Sequence, residues 1–153
     1  MMKGPLFYSK ILLFGEYGII EDSKGLSIPY NFFKGALKIP ETPSEISKNS
    51  NSILFDFCNH LKQTKGLSDL DLILFEKHLK EGLYFDSSIP KGYGVGSSGA
   101  LVAAVYNKYS NNKITVLENL TREKLLKLKT IFSKMESFFH GKSSGLDPLN
   151  SYL

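Results

Sequence analysis

A single cysteine, Cys58, occurs in the 153 residues of the chain, which excludes an internal disulfide and any zinc cluster built on cysteine. It falls on a helical pattern and reads as a filler of the core. No apolar run approaches the ~20 residues needed to span a bilayer. The first apolar stretch is interrupted by Lys10 and lacks a small-residue cleavage site after it, so it does not read as a signal peptide. Internal repeats and low-complexity tracts are missing. So is the phosphate-loop pattern G-x-x-x-x-G-K-[ST], because no lysine follows the last glycine of the main glycine-rich stretch. Charge of one sign is not strongly in surplus either. The net charge is +4 with the basic residues scattered, which suits anionic metabolites and marks no dedicated nucleic-acid surface. The expectation is a soluble, cytoplasmic, reducing setting and a small-molecule partner, with no nucleic acid and no membrane. Apolar residues at 42% and charged residues at 22% are globular values, and the length suits one domain with a real core.

What the chain does have is Pro90-Lys91-Gly92-Tyr93-Gly94-Val95-Gly96-Ser97-Ser98-Gly99-Ala100-Leu101. Glycine lets the backbone take positive φ and lets a bulky anion approach. The stretch opens a helix, whose unpaired N–H groups and positive dipole end favour an anion. On physical grounds this is a phosphate cradle, and the two serine hydroxyls add a candidate magnesium ligand. The bland alternative is a glycine-rich turn that only starts a helix. Gly94 to Gly99 also matches the dinucleotide fingerprint G-x-G-x-x-G. That reading is rejected, because the fingerprint follows a buried parallel strand and Asp86-Ser87-Ser88-Ile89-Pro90 is poor strand chemistry.

Along the chain, Leu6 to Phe14 reads as a strand carrying one charge, Gly15 to Gly18 as a turn, and Ile19-Ile20 as the start of a second extended piece. Residues 26–39 read as two short extended pieces broken at Pro29 and Gly35. Residues 41–51, rich in Pro, Ser, Glu and Asn, read as an exposed loop, and 52–65 as a helix with His60 at its rim. Asp69 to Phe75 and Leu83 to Ile89 suggest an antiparallel hairpin feeding the glycine loop. Helices follow over 98–109 and, with Thr121 as N-cap, over 122–139, where Leu125, Leu128, Phe132, Met135 and Phe139 form a buried stripe. Together these elements predict an α+β fold, a mostly antiparallel sheet with helices packed on one side.

Three charged residues each leave two readings open. Lys10, inside an apolar run, either meets a buried anion or snorkels to solvent. Glu136, near a helix C-terminus where a carboxylate is disfavoured, either has a cation partner or is solvated. Asp147, which Pro148 restricts to extended backbone, either carries chemistry or caps a turn.

Read together, three segments resemble the GHMP small-molecule kinases. Lys10 to Ile20, KILLFGEYGII, is similar to their first motif, and Pro90 to Leu101 to their phosphate-binding second motif. Glu136 to Asp147, ESFFHGKSSGLD, resembles the acid-bearing segment of the mevalonate kinase branch. The resemblance implies that residues 1–153 are the N-terminal domain of such a kinase, with its left-handed βαβ connection. Gly92, Gly94, Gly96, Ser97 and Ser98 would hold the phosphates of ATP, and Ser98 and Glu136 would hold magnesium. Asp147 would take the substrate hydroxyl proton with Lys10 beside it, and Glu16 and Tyr17 would face the substrate. The implied activity is ATP-dependent phosphorylation of the hydroxyl of mevalonate, in isoprenoid precursor synthesis. Alternatives are another kinase of the family, a diphosphomevalonate decarboxylase-like enzyme, or a non-catalytic nucleotide-binding module.

The sequence departs from the family at Ser9 (commonly Gly), Tyr17 (often His), Gly99 (commonly Ala) and Ser143 (commonly Pro). Family members are considerably longer. The expectation is therefore a fragment without the C-terminal domain, inactive alone, with uncovered apolar surface that favours a homodimer.

Overall fold

The computed structural model describes residues 5–14, 26–115 and 119–153. Strands β1 (Phe7–Phe14), β2 (Leu26–Lys38) and β3 (Tyr84–Ser87) form an antiparallel sheet in the order β1-β2-β3. Five helices accompany it among the described residues: α1 (Glu45–Gln63), α2 (Leu72–Lys80), α3 (Ser97–Tyr109), α4 (Arg122–His140) and α5 (Leu146–Tyr152). The fold is α+β, as expected. The described strand neighbours are all antiparallel, so the βαβ connection implied by the resemblance is not found among them. No described helix is long and apolar enough to cross a membrane.

Helix α3 is the centre of the packing. Its residues from Gly99 to Tyr106 are all buried, and α2, α4, α5 and the sheet surround it. Small side chains at Ala100, Ala103 and Ala104 allow that close approach. Against it α4 sets Leu128, Phe132 and Met135, all fully buried, whereas Leu125 and Phe139 at the ends of the same stripe are half-buried. Phe132 meets Tyr106 and Tyr152 edge-on, with ring centroids 5.1 and 5.6 Å away, the geometry that aromatic quadrupoles prefer. Cys58 is a buried core residue. His60 sits at the rim, its ring nitrogen 3.3 Å from Ser137 Oγ.

Four expectations fail, each for a physical reason. Asp147 is helical rather than extended, in the first turn of α5, where the N–H that Pro148 lacks would have no intrahelical acceptor. The polar stretch 41–51 is not a loop throughout, because α1 begins at Glu45. Ser44 and Ser47 cap it reciprocally, with Ser47 N–H donating to Ser44 Oγ (3.1 Å) and Ser44 N–H to Ser47 Oγ (2.9 Å). The first turns dock by hydrogen bonds rather than an apolar stripe. Asn51 Nδ2 donates to the carbonyls of Leu79 and Leu83, and Ser50 Oγ accepts from Phe85 N–H. Nor do residues 69–75 form a hairpin strand. Asp71 caps α2 by accepting from Leu74 N–H at 2.9 Å, and Phe75 and Leu79, one turn apart, go into the core. A short apolar run is ambiguous between the two periods, and here the cap decides. The partner of β3 is β2 instead.

Pro29 and Gly35 do not break β2 either. Lys10 is the register partner of Pro29, yet the Lys10 N–H donates away from β2, to the Val95 carbonyl at 3.0 Å. The pair is thus a non-hydrogen-bonded one, and the missing proline N–H is not needed by β1. On the other side, β3 pairs only with Gly35 to Lys38. At Gly35, a Cβ would lie 2.2 Å from the Phe85 ring, so glycine is what lets that ring cross the sheet into the core.

Gly35→Ala is therefore expected to destabilise the fold by about 1–3 kcal/mol through overpacking. Combined with Phe85→Leu it should cost less than the two single changes summed. Urea denaturation of the four proteins checks this, and strictly additive losses would contradict it.

Candidate active site

Residues from the start, middle and end of the chain meet at the N-terminus of α3. Strand β1 brings Lys10, which is only 4% exposed. Its Nζ lies 3.0 Å from Asp147 Oδ1, in the first turn of α5. The Lys10 N–H to Val95 carbonyl bond ties the glycine loop to the outer edge of β1. Of the readings left open for Lys10, the structure thus realises a buried ammonium paired with an acid.

Gly96, the N-cap of α3, has φ +83°, in the left-handed region. A Cβ there would also press on the Lys10 stem, 3.1 Å from Cγ. No side chain caps α3, so its first N–H groups are left for a ligand. Gly92 and Gly94 precede it, and a Cβ on either would meet open space. Ser97 and Ser98 begin the helix.

Gly99 has a different role, one the sequence pattern did not reveal. A Cβ at this position would stand 2.8 Å from the Asp147 carbonyl carbon and 2.9 Å from Pro148 N. The first turn of α5 therefore rests directly on the first turn of α3. That contact sets the depth of Asp147 beside the glycine loop, and the replacement of the commoner alanine is what permits it.

Glu136 comes from the last turns of α4 and is 3% exposed. Its Oε1 accepts from Ser98 Oγ at 3.2 Å and its Oε2 accepts from Ser143 Oγ. The Nε2 of His140 lies 3.0 Å from the same Ser98 hydroxyl. Burial pushes the Glu136 pKa up, and the nearby Asp147 charge pushes the same way. The Ser143 and Ser98 hydroxyls and His140 oppose the shift. Glu136 is thus buried among hydroxyls, not solvated. His140 and Ser143 were inside the third segment but had no assigned role; only their position between Glu136 and Asp147 could have drawn attention to them. Glu16 and Tyr17 lie outside the described residues.

Beside the loop is a cavity of about 590 Å³. Ile46, Ile53, Phe85, Leu101, Phe138 and Phe139 give it apolar walls, and Ser97, Ser98 and His140 also line it, so it shares residues with the glycine-loop site.

A carboxyl whose pKa is raised on folding adds stability while protonated and loses it as pH rises through the raised value. Without magnesium, Glu136→Gln is thus expected to resist urea better than the parent protein at mildly alkaline pH. The advantage should shrink as the pH falls below the raised value. Urea midpoints across that range check the sign, and a variant weaker at every pH would contradict it.

The model of the GHMP kinases N terminal domain matches residues 54–152. The matched span runs from within α1 through α5, including the glycine loop, Glu136 and Asp147, whereas Lys10 lies ahead of it. No curated protein and no solved structure matches the chain. With more than half of its residues in that match and a glycine loop opening a buried helix, the chain belongs to the GHMP kinase family of small-molecule kinases.

Proposed function

We propose that the protein transfers the terminal phosphoryl group of ATP to the hydroxyl of a small acid, mevalonate. The observation that carries this reading is the ion pair between buried Lys10 and half-buried Asp147, 3.0 Å apart, next to the glycine loop. Phosphoryl transfer asks the protein for positioning and charge neutralisation more than for covalent chemistry. The uncapped N-terminus of α3, with Gly92, Gly94, Gly96, Ser97 and Ser98, offers backbone donors to the phosphates. The apolar cavity beside it is within the usual range for small-molecule sites and suits a purine base.

Asp147 is the more open member of the pair, its side chain 34% exposed against 5% for Lys10. It is placed to take the proton of an incoming hydroxyl while that oxygen bonds to the terminal phosphorus. The bond to the bridging oxygen breaks, and ADP leaves with the electron pair. Lys10, held behind Asp147, stabilises the negative charge growing on the attacking oxygen. The Ser98 hydroxyl and the Glu136 carboxylate are hard oxygen donors of the kind magnesium prefers, and that ion keeps several waters besides, so two protein ligands suffice. When bound there, magnesium supplies neutralisation of phosphate charge. Mevalonate as acceptor is supported by the first and third segments, which resemble that branch of the family more narrowly than the second does.

Asp147→Asn and Lys10→Met are each expected to lower turnover by roughly 10²–10⁴-fold while changing ATP affinity little. ADP release and nucleotide titration of the same preparations test this together. Unimpaired turnover in Asp147→Asn would sink the mechanism. A screen of mevalonate, phosphomevalonate, homoserine and galactose tests the acceptor. Turnover with one of the other three instead of mevalonate would remove that assignment and leave the kinase class standing.

A further inference from the structure

Ser143 has a hydroxyl with one proton and two neighbours. The Gly145 N–H donates to its Oγ at 3.0 Å, so the hydroxyl proton is free to go elsewhere, and it goes to Glu136 Oε2. The Ser143 carbonyl is fixed in turn by the Ser133 hydroxyl, which donates to it at 2.5 Å. The loop between α4 and α5 is thereby pinned to both helices through one residue. Gly145 is the N-cap of α5, the helix that carries Asp147, so Ser143 links Glu136 to the start of that helix.

The consequence falls on Glu136. Its Oε2 is drawn back toward the loop, and its Oε1 is left facing Ser98 at the mouth of the glycine loop. A carboxylate free to rotate could present either oxygen, or both, to a cation. With Oε2 turned onto Ser143, the oxygen on the glycine-loop side is Oε1, which shares that side with the Ser98 hydroxyl at 3.2 Å. We propose that Ser143 is a positioning residue that makes Glu136 a one-oxygen ligand, with Oε1 as the metal-facing atom; this rests on the magnesium reading given above. Proline, the commoner residue at this position in the resembling kinases, has no hydroxyl to make the contact, so the device belongs to this chain's own sequence.

Groups that orient a metal ligand typically influence metal affinity by about 10–100-fold. The test is calorimetric titration of the chain with ADP at stepped magnesium concentrations and again in excess EDTA, for the parent, Ser143→Ala and Ser143→Thr. Ser143→Ala is expected to need about 10–100-fold more magnesium for half-maximal tightening of ADP binding. Its metal-free ADP affinity should stay at the parent's value, and Ser143→Thr, which keeps the hydroxyl, should restore the magnesium dependence. A thermal melt of each protein separates misfolding from this effect. An unchanged magnesium dependence in Ser143→Ala overturns the inference, and so does an equal loss with and without the metal. Parent protein whose ADP affinity ignores magnesium would remove the metal reading itself, before any variant is compared.

Discussion

The ammonium of Lys10 is out of water, and a charge so placed must be matched nearby. Asp147 matches it, and the match dictates much else. The stem of Lys10 passes so close to Gly96 that the loop needs a glycine there, and its N–H holds the loop through Val95. The helix that brings the acid to the ammonium, α5, rests directly on Gly99. One ion pair therefore connects the first described strand, the glycine loop and the last helix. As a source of stability such a pair is poor, since an apolar replacement of similar volume is often neutral or better. Its retention in the core is better explained by what a fixed cation and a partly open carboxylate can do together.

The site inherits its geometry from the core. Helix α3 is buried on nearly all sides, by small residues toward its start and by Tyr106 and Tyr109 toward its end. Its N-terminus is consequently fixed in place by the packing of the helix behind it, which suits backbone donors that must act without reorganising. Fixing α4 against it by Leu128, Phe132 and Met135 also fixes Glu136, the next residue along. The apolar stripe and the acid are parts of one helix face and cannot shift independently.

Much of this was legible in sequence where the local chemistry is self-sufficient. Glycines running into an apolar helix, and Thr121 ahead of α4, carry their own signal, and both fall where expected. What was not legible depends on partners distant in the chain. Ser50 and Asn51 look like loop residues until Phe85, Leu79 and Leu83 supply the backbone groups they bind. Pro29 looks like a break until the Lys10 N–H is seen to point away from it. Gly99 and Ser143 stood out only as departures from a pattern. Their reasons, a helix packed without room for a methyl group and a hydroxyl turned onto a buried acid, exist only in three dimensions.

The two acids of the site sit in unlike surroundings, and that difference separates their roles under the kinase reading. Asp147 has a resident cation at 3.0 Å and a side chain that is partly open. Glu136 is closed off, and its hydrogen-bond partners among the described residues are the hydroxyls of Ser98 and Ser143. Hydroxyls ease a buried negative charge but do not cancel it, and Asp147 adds to the strain, so the carboxyl's pKa is pushed up. An arriving cation gains most where negative charge is least compensated, at Glu136. An arriving hydroxyl meets Asp147, whose charge is already balanced by Lys10 and whose oxygen is within reach. Under that reading the two environments favour the metal on the α4 side of the glycine loop and the proton transfer on the α5 side.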